Sequence, residues 1–435
     1  MRRFITILLF GLSRLIMAQE KLDSVGAIIR DAETQEPVPY ASVYVSPGCG
    51  TISNYEGEFA LQCLASETIR ISCIGYQSVT YRGSELPAVV RLRPVSTTLK
   101  EITVTTKGED ILYRLVTKMQ REAKRHRKAE AKYFFRMATQ YPGTDELAEA
   151  FMTAKSCVQI RDITFHSGCR GQLKDNKLDG PSLTGLGRTN MHIFLRLSPI
   201  LVNYDIWDFT FVPADIVLRR MKNLYQTSTV QFAQEDGTPV SKIRITANPA
   251  ITSRPILDGT MYIDSKKCRL LRFDGQIHNL HIELYDQARE QHLVTSIDYT
   301  MHVDYRHDHG FTEIASMSGT ISKDSIRIRQ LLFNLGEKKL IFSKSVRVGE
   351  NMVRAIDKVG FDSTLWVTNN IVKRTQAEER VAFGDSTFWQ ANKSKYNTAP
   401  TLQEQRTDTY LQDAIRQLKD NTMQLQRMPS TPRSY

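Results

Sequence analysis

Hydrophobic and polar positions change rhythm several times along this chain. Between residues 22 and about 105, short alternating runs are broken by turn-forming residues. The runs at 24–29, 41–45, 59–61, 68–74, 89–92 and 102–105 are predicted strands. The polar stretch 31–37, the pair Gly48 and Gly50, and the group Asn54, Glu56 and Gly57 supply the turns. Short strands at roughly ten-residue spacing predict a β-sandwich over 22–105.

From 110 to 132 the period becomes helical. Ile111, Leu112, Leu115, Val116 and Met119 share one face, while Arg114, Lys118, Arg121, Arg125, Lys128 and Lys132 recur on another. Asp110 stands near the helix start, where its charge suits the dipole. Alternation returns from 133 to about 345. It is clearest at Ile297, Tyr299, Met301, Val303 and Tyr305, after which the run 307–310 turns the chain back. The stretches 259–264 and 268–276 form a second hairpin, and 325–334 and 338–344 add strands. This pattern predicts a β-rich domain over 133–390 built on a large antiparallel sheet with one wet face. The segments 181–187 and 198–213 read as irregular insertions; Tyr204, Trp207, Phe209 and Phe211 gather in the latter. The last stretch, 391–435, is polar, with Leu402, Leu411, Ile415, Leu418 and Leu425 at helical intervals. It predicts a mobile tail containing one amphipathic helix.

Composition sharpens this outline. The chain has 435 residues, 41% hydrophobic and 24% charged, which suits two or three globular domains. Its net charge of +11 raises polyanions, membranes and acidic proteins as partners. Residues 1–18 combine Arg2 and Arg3, an apolar run and Ala18 at a cleavage point, the pattern of a signal peptide. Its removal leaves 55 basic against 47 acidic side chains, or +8, and six of those units fall within 111–132. The excess therefore belongs to one helix. Six cysteines are too sparse for a disulfide framework, and Cys157 with Cys169 is the pair to test first.

The ordered residues Gly26 to Asp31, Glu36-Pro37, Ala41 to Val43, Gly50-Thr51, Asn54 to Gly57, Phe59, Ser72 to Tyr76 and Leu99 to Ile102 carry a resemblance. They resemble the carboxypeptidase-regulatory-like domain, a transthyretin-type β-sandwich found in exported proteins of Gram-negative bacteria. The resemblance spans about 85 of the 435 residues. It implies a periplasmic or outer-membrane location. The stretch from Leu197 to Tyr204, and Trp366 through Thr375, are similar to exported proteins of that group in which a helix and a β-rich region follow the sandwich.

Candidate chemistry is sparse. The zinc site of the carboxypeptidases uses His-x-x-Glu, and none of the nine histidines has Glu three residues on. HExxH and GxSxG are absent, and Gly185-Leu186-Gly187 lacks the GK[ST] ending of a phosphate loop. His302, His307 and His309 lie close to Asp304 and Asp308, and His278 to His281. Imidazole and carboxylate could bind zinc there, but a solvated hairpin accounts for the same residues. The basic helix reads either as a solvated face or as a surface for anionic lipid or an acidic protein. The aromatic group holding Tyr204 and Trp207 reads as an interaction surface or as packing.

The expectation is a mainly β, exported, non-catalytic binding or assembly protein of the cell envelope, with no cofactor or metal. Its partner would be an envelope protein, a glycan or an outer-membrane component rather than nucleic acid, with peripheral membrane contact through the basic helix. A small outer-membrane β-barrel carrying a periplasmic sandwich, and an envelope hydrolase built from distant residues, are the alternatives.

Overall fold

The computed structural model describes residues 22–46, 49–95, 105–141, 143–174, 177–179, 219, 225–234, 237–247, 256–286, 291–323, 326–337, 340–348, 352–362, 365–366, 369 and 371–383. The predicted signal peptide, the insertions at 181–187 and 198–213, and the predicted tail lie outside the described residues.

Seven strands form the N-terminal sandwich: β1 (Leu22–Asp31), β2 (Ser42–Ser46), β3 (Cys49–Ile52), β4 (Glu58–Leu64), β5 (Thr68–Ser72), β6 (Val79–Arg82) and β7 (Val89–Leu92). They pair as β4-β1-β7 and β3-β2-β5-β6. Inward positions alternate along each strand, so Ala27, Ile29, Val43, Phe59, Leu61, Ile69, Ile71, Val90 and Leu92 meet in one core. The motif residues fix the turns around it. Asp31 accepts the backbone N–H groups of Glu33 (2.7 Å) and Thr34 (3.0 Å), and its other oxygen accepts the Tyr76 hydroxyl at 2.9 Å. Asn54 Oδ1 accepts N–H from Glu56 and Glu58. Gly57 sits at φ +77°, and a Cβ there would lie 2.4 Å from the Ile29 carbonyl.

Helix α1 (Thr105–Arg125) follows. It begins before and ends before the predicted 110–132. The chain turns at 126–128, because from Glu130 onward the apolar period is two: Tyr133, Phe135 and Met137 all point one way. Thr105, predicted to end a strand, opens this helix instead.

The large sheet runs through β8 (Glu130–Tyr141), β9 (Thr144–Cys157), β10 (Gln159–Lys174), β11 (Lys177–Asp179), β12 (Tyr225–Ala233), β13 (Pro239–Ala247), β14 (Ile256–Asp264), β15 (Arg269–Asp286), β16 (Gln291–Arg306), β17 (Glu313–Lys323) and β18 (Ile326–Asn334). Its order is β11-β10-β9-β8-β18-β17-β16-β15-β14-β13-β12, with the short β19 (Val346–Arg347) beside β10. Among the described strands the sheet has two ends and does not close. Every described pairing in it is antiparallel. Of the strand predicted over 338–344, the described residues 340–344 run irregularly, with Leu340 and Phe342 packed inward.

One face of this sheet curls round α1. Leu112, Leu115, Val116 and Met119 share a single core with Tyr133, Met152, Phe165, Ile243, Ile263, Phe273, Tyr299 and Met317, drawn from strands along the whole sheet. The helix reaches β12 at the far end. Helix α2 (Met352–Val359) joins this core through Ile356. On the opposite face lie the sandwich, residues 365–366, 369 and 371–375, and helix α3 (Gln376–Phe383). Two glycines of β10 admit the two short helices. A Cβ at Gly168 would stand 3.0 Å from Ile356, and one at Gly171 would stand 2.5 Å from the Val381 carbonyl.

The predicted wet face is thus covered over much of its area. Phe134, Phe151, Leu331 and Trp366 form a core there with Val372 and with Ile52 of the sandwich. All six cysteines are free thiols. Cys157 belongs to the α1 core while Cys169 lies against the core under Trp366, so the predicted pair is split between opposite faces.

Candidate functional site

Strand alternation sends Arg136, Glu149, Arg272, His302 and Asp304 to the face opposite α1, where the sandwich and residues 371–383 then bury them. Glu149 is fully buried. Arg136 Nε donates to it at 2.7 Å and Arg374 Nε at 2.9 Å. Arg136 also donates to the carbonyls of Val372 (2.6 Å) and Lys373 (3.1 Å), pinning this strap to the sheet. Burial alone would raise the Glu149 carboxyl; the two guanidinium groups outweigh it and hold it below the usual range. The strap meets the sandwich in turn: Thr51 donates to the Ile371 carbonyl, Asn54 to that of Lys373, and Lys373 pairs with Glu58 at 3.2 Å.

A second buried group lies beneath the sandwich. Arg272 donates to Asp304 at 2.7 and 3.3 Å, and its Nη1 reaches across to the Ile74 carbonyl at 3.3 Å and Cys73 Sγ at 3.4 Å. His302 bridges Asp274 and Asp304, the latter at 3.0 Å, and the Tyr40 ring stacks on it at 5.1 Å. Burial would discharge His302, but the Asp304 carboxylate prevails and raises its pKa. Asp304 is held well below the ordinary carboxylate range by Arg272 and His302 against its own burial. His302, on the polar alternate of its strand, is largely covered by the sandwich, whereas Asp308, His309 and Gly310 of the predicted solvated turn are exposed. His307 Nε2 donates to the Leu270 carbonyl at 2.7 Å. Among the described residues no group of three or more His, Cys, Asp or Glu is arranged to hold a metal ion.

Where the two bodies part, they leave a cleft of about 800 Å³. Tyr44, Thr51 and Arg70 line its sandwich side, while Arg306, Phe333 and Asn334 line its sheet side, with Arg272 and Asp304 on its floor. Strand β3, which contributes Thr51 to this wall, is one of the two edge strands of its sheet. Tyr44 is 41% exposed. Arg306 donates to Asn334 Oδ1 at 3.1 Å and pairs with Asp308 and Glu313 at 3.2 Å each. The volume falls within the range of small-ligand sites.

The predicted surface residues divide. Arg114, Arg121, Arg125 and Lys128 are exposed. Lys118 is half-buried and donates to the carbonyls of Lys267 and Cys268. Lys128 stands in the turn after α1 and Lys132 on β8, so neither belongs to the helix as predicted. Tyr204 and Trp207 lie outside the described residues.

Nucleophiles fare poorly. Ser345 Oγ lies 3.0 Å from His166 Nδ1, and Thr153 Oγ1 lies 3.0 Å from its Nε2. The Lys344 carbonyl also lies 3.1 Å from Nδ1 and can only accept, so Nδ1 carries the proton. Ser345 therefore faces a donor and gains no base. Burial pushes the thiols of Cys157 and Cys169 up to about 12 and that of Cys63 up to about 11, the opposite of activation.

Residues 26–104 match the CarboxypepD_reg-like domain family. The N-terminal sandwich is a carboxypeptidase-regulatory-like domain. Comparison with curated proteins finds no match. Among solved structures, a DUF1329 family protein from Desulfovibrio piger is 10% identical, with a TM-score of 0.21 over 51% of this chain and 90% of that one. The MucA/MucB complex of Pseudomonas aeruginosa gives 8% identity and a TM-score of 0.19 over 52% and 94%. A domain described as an outer membrane lipoprotein-sorting protein, from Vibrio parahaemolyticus, gives 10% and 0.16 over 56% and 97%. Likenesses this distant assign neither a fold nor a ligand to this chain. The regulatory-like domain is accounted for by its turn motifs. The burial of the charges beneath it had no local signal, because the sandwich groups that cover them are far away in sequence, as Ile74 is from Arg272.

Proposed function

We propose that this is a non-catalytic binding or assembly protein of the cell envelope, and that the cleft between the regulatory-like domain and the curled sheet holds its ligand. The observation that carries this reading is the fixed geometry of the cleft. Arg272, on its floor, ties the sandwich to the sheet through Ile74, so the two walls are held at a set distance. The walls mix aromatic faces, hydroxyls, amides and guanidinium groups, a lining suited to a short polar chain such as an envelope glycan or peptide. Arg272, Asp304 and Arg306 are held in ion pairs while Arg70 stays exposed on the cleft wall, which supports binding rather than catalysis. The signal-peptide pattern of residues 1–18 supports export.

Two measurements test this. Envelope glycan and peptide fragments should raise the melting temperature of the wild-type chain, and Tyr44→Ala with Arg70→Glu should remove that rise. A fluorophosphonate hydrolase probe should leave the protein unlabelled. Labelling lost in Ser345→Ala, or a fragment response untouched by the cleft variants, overturns the reading. Fractionation with a carbonate wash checks the location, and soluble recovery from the periplasm is the expected result.

A further inference from the structure

Helix α1 and the turn between β14 and β15 build one basic surface from elements about 150 residues apart in sequence. Lys118 Nζ donates to the carbonyls of Lys267 (2.9 Å) and Cys268 (3.1 Å), which holds the turn against the helix. Cys268 Sγ lies 3.9 Å from the Ile111 carbonyl, so exposed Lys266 and Lys267 stand against the part of the helix that carries exposed Arg114. Exposed Arg121, Lys124, Arg125, Arg127 and Lys128 extend the surface along the chain. Of the three acids in the helix, Glu109 and Asp110 stand next to each other in its N-terminal part, and Glu122 turns inward and accepts the Thr312 N–H at 2.9 Å; exposed Glu130 lies beyond the helix C-terminus. Tyr113 is 47% exposed amid these cations. The opposite side of α1 is packed in the core, so the charges are displayed on a rigid support.

We propose that this surface docks the protein on an anionic lipid bilayer. The inference is independent of the cleft. A patch of one sign, spread over two elements, is complementary to a plane of anionic headgroups. An exposed Tyr suits the interfacial zone of a membrane. The attachment is electrostatic and reversible, because the apolar face of α1 is already occupied.

The test uses the full chain and sedimented or floated vesicles. Vesicles of phosphatidylglycerol with phosphatidylethanolamine should bind it, vesicles of phosphatidylcholine should not, and salt at about 0.5 M should release it. Removing each cation should weaken binding roughly fivefold. The triple change Arg114→Gln, Arg121→Gln and Arg125→Gln then costs roughly a hundredfold, and Lys266→Gln with Lys267→Gln roughly twenty-five-fold by the same scale. Arg244→Gln with Arg327→Gln removes two exposed charges from the other face of the sheet and should leave binding unchanged. All these side chains are exposed, so the melting temperature should hold in each variant. No binding to phosphatidylglycerol, an unaffected turn variant, or an equal loss in the Arg244/Arg327 variant overturns the proposal. So does binding of soluble polyglutamate without binding of vesicles, which would assign the surface to an acidic protein.

Discussion

At the scale of single residues, the buried carboxyl groups are under opposite influences. Glu149 is charged because two guanidinium groups face it; Glu149→Gln would leave Arg136 and Arg374 buried with their partner neutralised. Such a change is expected to cost about 3–5 kcal/mol in urea unfolding near neutral pH. Glu379 is the converse case. It is almost fully buried, and burial pushes its carboxyl up to about 8 against the pull of Arg374 and Lys373. A carboxyl whose folded pKa exceeds its unfolded value stabilises the protein fully only below the unfolded pKa, and that contribution is lost as pH rises to about 8. Glu379→Gln should therefore flatten the decline of stability between about pH 4.5 and pH 8 and exceed the wild type in stability above it. A pH series of unfolding midpoints that is parallel for the two proteins would count against this. Neither glutamate could be picked out from the sequence. Glu149 falls within no element that the pattern singles out, and one face of the large sheet is expected only in general to be wet. What buries it is contributed by residues 372–378, more than two hundred positions onward.

Elements were legible where one period ran unbroken. The hairpin of β16 and β17 and the apolar side of α1 followed the expected pattern, since each is specified by its own residues. Leu115, with no exposure, should cost about 2–5 kcal/mol on change to alanine, whereas Arg121→Ala should shift stability by no more than about 0.5 kcal/mol. Denaturant midpoints of the pair separate the two faces of the helix. The short α3 escaped notice because its eight residues offer barely two turns of periodicity. It nevertheless has a local start signal. Thr375 Oγ1 accepts the Glu378 N–H at 3.3 Å, and Glu378 Oε2 accepts the Thr375 N–H at 2.9 Å, a reciprocal capping box. Glu378 also pairs with Arg136 at 3.3 Å, so the cap of α3 is joined to the buried ion group of the sheet. Thr375→Ala is expected to cost about 1–2 kcal/mol through the cap. It also removes the Thr375 contact with the Tyr55 hydroxyl, so amide exchange should quicken in α3 and at the β3–β4 turn together.

For the whole molecule, the decisive event is the covering of a sheet face by the regulatory-like domain. Arg272 joins the sheet to the sandwich at Cys73 and Ile74, as Thr51, Asn54 and Tyr55 join the sandwich to residues 371–375, and His302 lies beside Arg272 between two carboxylates. Tyr40, Asp274, Asp304 and Arg272 are the groups that face His302. Its pKa is raised on folding, so the stabilisation it supplies is complete below its unfolded value near 6.5 and fades as pH rises through the higher folded value. Above that point Asp274 and Asp304 share a neutral imidazole, and Arg272 alone balances Asp304. The sandwich should then separate more readily from the sheet. Scanning calorimetry is expected to show one transition in mildly acidic buffer and an earlier, resolved melting of the sandwich in alkaline buffer. His302→Gln should show the separated behaviour at both pH values, because the bridging charge is missing throughout. Arg272→Met should separate the transitions still further, at about 3–5 kcal/mol, by leaving Asp304 buried without its guanidinium and Ile74 without its donor. A single transition unaffected by pH and by both substitutions would show that the apolar contact of Ile52 with Phe134 and Trp366 suffices to hold the two bodies together. The cleft would then keep its shape without the ionic group on its floor.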